Sequence, residues 1–97
     1  MKALVFSPKA EADIDDIYDY TEQHWGFENA EVYTFELRDA CRSLVEGPRH
    51  GRKIGDEIRR NYFVLSCKAH FIIYRETVSR IVIVRILHQR MNVRRHL

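Results

Sequence analysis

Apolar residues recur every three or four positions in the first half of the chain and crowd into short β-rich runs in the second half, so the change of period divides the sequence. Ala10, Ile14, Ile17, Tyr18 and Thr21 lie on one face of an amphipathic helix. A short apolar run at 3–6, predicted as a strand, precedes it. Ser7-Pro8 between them is the pairing expected where an N-cap hands over to the first helical position. Glu11, Asp13, Asp15 and Asp16 place carboxylates in the early turns, where they favour the positive helix end. The helix is expected to run to about His24 and to stop at Gly26, with Trp25 folding back onto the helix pair. A second helix is predicted over about 29–45, with Ala30, Tyr33, Leu37, Ala40, Cys41 and Leu44 on one face. The link is too short for anything but an antiparallel hairpin. Gly47-Pro48 ends the second helix, because proline cannot continue it.

Strand-like runs follow at 58–65, 69–76 and 80–88, separated by so few residues that they read as antiparallel hairpins. The order of strand, helical hairpin and three strands predicts an α+β domain, with the hairpin on one face of a mainly antiparallel sheet and a short helical or basic tail at the C-terminus. The stretch 81–87 is rich in β-branched residues and is expected in the interior of the sheet. Its two parities are Ile81, Ile83, Arg85, Leu87 and Val82, Val84, Ile86, His88, so apolar side chains point both ways. One face packs under the helices. The other needs a cover, and a partner chain is the expected one, with the C-terminal segment as the alternative.

A chain of 97 residues makes one domain, 1–97, and 45% hydrophobic with 31% charged residues is an ordinary globular composition. No window approaches the roughly 18 apolar residues of a membrane span, and the first residues do not form a signal peptide, so the expected location is the cytoplasm. Cys41 and Cys67 then read as reduced thiols. The charge is polarised: residues 1–48 hold four Lys or Arg against eleven Asp or Glu, and the remainder twelve against three. Such a second half suits an anionic partner, or neutralises the first half across the fold.

Candidate chemistry is sparse. The histidines and cysteines lack metal-ligand spacings, so neither a metal nor a cofactor is expected. The loop at 48–57, with Arg49, Arg52 and Lys53 among its glycines, matches no phosphate-binding pattern. The carboxylates Glu11, Asp13, Asp15, Asp16, Asp19 and Glu22 read as a solvated helix face. One constellation, Arg59, Arg75, Arg85 and His88 on neighbouring strands, could supply cations for phosphate and one acid/base imidazole, as metal-independent RNA cleavage requires. The competing reading is a basic protein-binding surface, favoured because no second proton-transfer group accompanies His88.

The segments S-P-K-A-E-A-D-I-D-D-I-Y-D-Y, W-G, G-P-R-H-G-R, I-R-R-N-Y, A-H-F-I-I-Y-R and I-V-R-I-L-H-Q-R-M-N-V-R-R-H-L resemble the ParE toxins of the RelE/ParE superfamily over nearly the whole chain. The last two are the most specific. The resemblance implies the fold read above and the toxin role in a type II toxin–antitoxin pair. It implies a ParD-like antitoxin bound directly in a hetero-oligomer, DNA contact only through that antitoxin, and inhibition of DNA gyrase. A ribosome-dependent mRNA endonuclease of RelE type, using Arg59, Arg75 and His88, is the alternative, and a nontoxic basic binding module is a third. No catalytic residue is named under the gyrase reading. Antitoxin contacts are expected at Arg59, Arg60, Phe63, Leu65, Arg75, Ile81, Ile83 and Arg85, and target contacts at Arg90, Arg94 and Arg95.

Overall fold

The computed structural model describes residues 2–54 and 61–97. Strand β1 (Ala3–Phe6) leads into helix α1 (Pro8–Trp25), and Gly26 alone joins it to helix α2 (Phe27–Glu46). Strands β2 (Arg52–Lys53), β3 (Tyr62–Cys67), β4 (His70–Glu76) and β5 (Arg80–His88) follow, and the short helix α3 (Val93–His96) closes the chain. The sheet order is β1-β5-β4-β3-β2, with β1 parallel to β5 and the other pairs antiparallel. The last long strand is therefore interior. Within the expected basic loop, Arg52–Lys53 instead pairs with Val64 and Phe63 as an edge strand. The start of the run predicted at 58–65, with Arg59 and Arg60, lies outside the described residues.

Local chemistry explains the helix ends. The Ser7 hydroxyl accepts from the Ala10 N–H at 3.0 Å, satisfying one of the donors that a helix start leaves open. Gly26, at φ +91°, takes a backbone conformation costly for other residues, donates to the Glu22 carbonyl and accepts from Ala30 N–H. One residue thus ends one helix and begins the next. This tight junction leaves no length for a return, so Trp25 does not fold back: it is 61% exposed at the hairpin tip, beside the Tyr20 and His24 rings.

Two apolar clusters sandwich the sheet. Ala10, Ile14, Leu37, Ala40, Cys41 and Leu44 pack on Cys67, Ile72, Tyr74, Ile81, Ile83 and Ile86. On the other face Val64, Ile73 and Leu87 gather with Ile54, and Val93 and Leu97 of the C-terminal segment pack against them. The chain supplies its own cover there, which corrects the expectation of a partner-covered face. The side chains point both ways along β5 for a second reason. Ile73 pairs with Arg85 while Tyr74 pairs with Ile83, so Val84 is a bulged extra residue and the alternation flips at that point. Ile81 and Ile83 face the helices before the bulge, Ile86 after it.

Cys41 and Cys67 are both buried and unbonded, and burial pushes the Cys41 thiol up to about 12. Gly51 sits where a side chain has no room: a Cβ would fall 2.6 Å from Tyr74 Oη and 2.8 Å from the Val64 carbonyl oxygen. Gly51→Ala is expected to cost about 1–3 kcal/mol through this overpacking, read as a lower urea midpoint with an unchanged slope.

Candidate functional site

Strand β1 runs out at Phe6, opposite Ile83, whereas β5 continues to His88. Beyond that point no strand lies beside this edge of β5 among the described residues, and α1 with its N-cap supplies the missing partners from side chains. Ser7 Oγ donates to the Val84 carbonyl at 2.7 Å, and Asp13 Oδ2 accepts from the Ile86 N–H at 2.9 Å. The same carboxylate takes the Arg85 guanidinium in a two-point pair, Nε to Oδ2 at 2.8 Å and Nη2 to Oδ1 at 2.9 Å. Arg85 Nη1 donates in addition to the His96 carbonyl, fastening the C-terminal turn. The pair is only 17% and 13% exposed, and its hydrogen bonds hold the Arg85 pKa above the ordinary arginine value. Asp13 is therefore no part of a solvated acidic face. That expectation is corrected, since the edge of β5 needs an acceptor.

Between this edge and the tip of the hairpin lies a groove of about 740 Å³. Its helix wall carries Ile17, Tyr20, Thr21, Trp25, Val32 and Tyr33, and its sheet wall Ala69, His70, Ile86, Leu87 and His88, with Met91 at the end. Tyr20, Trp25 and Val32 are each more than half exposed, an unusual concentration of bare apolar surface for so small a domain. At the floor, Tyr33 Oη accepts from the Ala69 N–H at 3.3 Å and meets His70 Nδ1 at 2.7 Å. The hydroxyl and Nδ1 share one hydrogen bond, whose donor is set by the tautomer of the ring. Burial, helped by the neighbouring His88, pushes the His70 pKa down to about 4 against the opposing effect of Asp13. His88 Nδ1 accepts from the Arg90 N–H, and the two imidazoles meet edge to face at 5.2 Å.

The expected site residues do not converge. Arg75 pairs with Val82 near one end of the sheet and His88 with His70 at the other, a separation of roughly 20 Å at about 3.3 Å per residue. Strand alternation also puts them on opposite faces. Arg85 is committed to Asp13, and Arg59 lies outside the described residues. Ile81 and Ile83, expected to meet an antitoxin, are 3% and 0% exposed beneath the helices and offer it no surface. Phe63 and Leu65 are half-buried against the same core, and Arg75 is exposed on the other face. Arg90, Arg94 and Arg95 all stand in solvent around α3. Asp13, Tyr20, Trp25, Tyr33 and His70 line the groove without having been expected as site residues from the sequence. Among the described residues no three His, Cys, Asp or Glu gather to hold a metal, and no helix is long and apolar enough to cross a membrane.

The family model for the ParE toxin of the type II toxin–antitoxin system parDE matches residues 4–93. The chain belongs to the ParE toxin family. A protein named Toxin ParE1 from Caulobacter vibrioides is 40% identical over 97 residues, covering 100% of this chain and 99% of that protein. Toxin ParE1 from Mycobacterium tuberculosis is 44% identical over 94 residues, with 96% and 95% covered. Among solved structures, a chain of the chromosomal ParDE toxin–antitoxin system from P. aeruginosa superposes with a TM-score of 0.78 at 25% identity, covering 91% of this chain and 96% of that one. A YoeB/ParE toxin from Agrobacterium tumefaciens, at 18% identity and a TM-score of 0.58 over 92% and 99% of the two chains, shares the fold. This ParE family member therefore has the RelE/ParE architecture expected from its sequence, and it is a toxin of the type II toxin–antitoxin kind.

Proposed function

We propose that this ParE family toxin arrests growth by binding and inhibiting DNA gyrase, not by hydrolysis, and that a ParD-like antitoxin neutralises it by occupying the groove beside the helical hairpin. The observation that carries the first half is the scattering of the cations. Metal-free phosphodiester cleavage needs a base, an acid and a phosphate clamp within reach of one atom. Here Arg75 and His88 sit on opposite faces and Arg85 is spent on Asp13. What the chain does offer an anionic target is the exposed arginine set Arg90, Arg94 and Arg95, on a turn held to the sheet by Val93 and Leu97. The second half rests on the bare apolar lining of the groove, which an antitoxin segment would bury at about 1.5–3 kcal/mol per large side chain.

Expression without the antitoxin should filament the cells and induce the DNA-damage response, and purified toxin should lower gyrase supercoiling. Site-specific cleavage of ribosome-bound mRNA with gyrase unaffected would overturn the proposal and support an endonuclease using Arg59, Arg75 and His88. His88→Ala sharpens the test, because loss of a general acid or base costs ~10²-fold or more in rate, whereas toxicity by binding should survive it nearly intact. Arg94→Glu with Arg95→Glu should keep the fold and weaken gyrase inhibition.

A further inference from the structure

Five charged side chains reach the groove, and four of them are already satisfied: Asp13 by Arg85, and Glu36 by Lys68. Asp16 is the fifth. It is exposed on the groove side of α1 and has no ion-pair or hydrogen-bond partner among the described residues. The basic residues expected from the sequence at the antitoxin contact suggest the opposite polarity, an acidic segment answering Arg59, Arg60, Arg75 and Arg85, of which Arg85 lines the groove. That arginine is no longer available, because three of its hydrogen bonds are made within the chain.

An occupant that fills the apolar groove must draw water away from Asp16. A purely apolar occupant leaves the carboxylate without a partner, an acidic one adds repulsion, and a basic one replaces the lost water with an opposite charge. We infer that the groove receives an antitoxin segment with apolar anchors and a lysine or arginine set against Asp16, and that this carboxylate selects against acidic segments. The inference rests on the reading that the antitoxin occupies the groove, and it makes Asp16 a specificity determinant.

Trp25 is the chain's single tryptophan and lines the groove, so its emission reports occupancy. The full chain is titrated with two synthetic amphipathic peptides that share leucine and phenylalanine anchors and differ only in carrying lysine or glutamate at the edge positions. The lysine peptide should shift Trp25 emission to the blue and bind roughly fivefold more tightly than the glutamate peptide at low salt. The difference should vanish in Asp16→Asn and reverse in Asp16→Lys. Because Asp16 is exposed, both variants should keep the parent circular dichroism. Equal binding of the two peptides, or a lysine preference that survives Asp16→Asn, would overturn the inference. The same titration with purified ParD-like antitoxin separates the two readings. Tight binding that leaves Trp25 emission unchanged would overturn the groove assignment and keep the toxin–antitoxin pairing, whereas no binding at all would overturn the pairing itself.

Discussion

Asp13→Ala is expected to lower the unfolding free energy by about 3 kcal/mol or more, and the melting temperature by roughly 12 °C for a domain of this size. The substitution does more than remove one ion pair. It leaves the Arg85 guanidinium, only 17% exposed, without its counter-charge, and the Ile86 N–H without an acceptor at the open edge of β5. Breaking one partner of a buried pair costs more than the pair contributes, because the remaining charge keeps its desolvation penalty. A double-mutant cycle with Arg85→Met therefore separates the parts. The double variant should recover a good share of the loss, and what stays lost measures the backbone cap. If Asp13→Ala unfolds within about 0.5 kcal/mol of the parent, the carboxylate is an ordinary surface group and the fastening of the β5 edge has been misassigned.

The second large effect is a loss of stability in mild acid that traces to His70. Its folded pKa lies near 4, below the value of 6.5 for a free imidazole, because burial, helped by the neighbouring His88, favours the neutral ring. Between those two values the unfolded chain binds a proton that the folded chain refuses, so stability rises with pH across this window and falls as pH drops from about 6.5 towards 4. The contribution is fully present above pH 6.5. At pH 4 it should have fallen by about 2–3 kcal/mol. Denaturant titrations at several pH values on the parent and on His70→Gln check it, since glutamine keeps an acceptor for Tyr33 and removes the titration. A steep pH dependence in the parent that persists unchanged in the variant would assign the proton to another group.

Both residues were hard to pick out in the sequence, for physical reasons. Asp13 looks like its neighbours Asp15 and Asp16, all of them carboxylates early in an acidic helix. What singles it out is that β1 is four residues long and β5 nine, a mismatch that matters only once the two strands pair. The parity of β5 was obscured by the Val84 bulge, which no local residue type announces. Local signals, by contrast, carried over well. Ser7-Pro8 and Gly47-Pro48 marked helix ends, Gly26 marked the tip, and the apolar run from Ile81 marked an interior strand. Each depends on chemistry within one turn of chain. The groove belongs to the other class, because its walls come from three separate parts of the sequence, and Trp25 read as a residue seeking cover where it is exposed surface at the groove mouth.

The parallel pairing of the first and last strands also sets the order in which this molecule can be assembled. Ser7 and Val84, which close the junction between β1 and β5, lie 77 positions apart in the chain. The helical hairpin is built from near neighbours and can form while the ribosome is still at work, but β1 has nothing to pair with until β5 has been made. Until then the sheet face of α1 and α2 lacks the part of its lid that Ile81, Ile83 and Ile86 supply, and the Arg85 that fastens the C-terminal turn has not been synthesised. A nascent toxin thus passes from residue 46 to residue 88 with both hairpin helices made and the sheet unfinished, so its capacity to harm the cell arrives late, after β5 and the arginine-bearing turn that follows it.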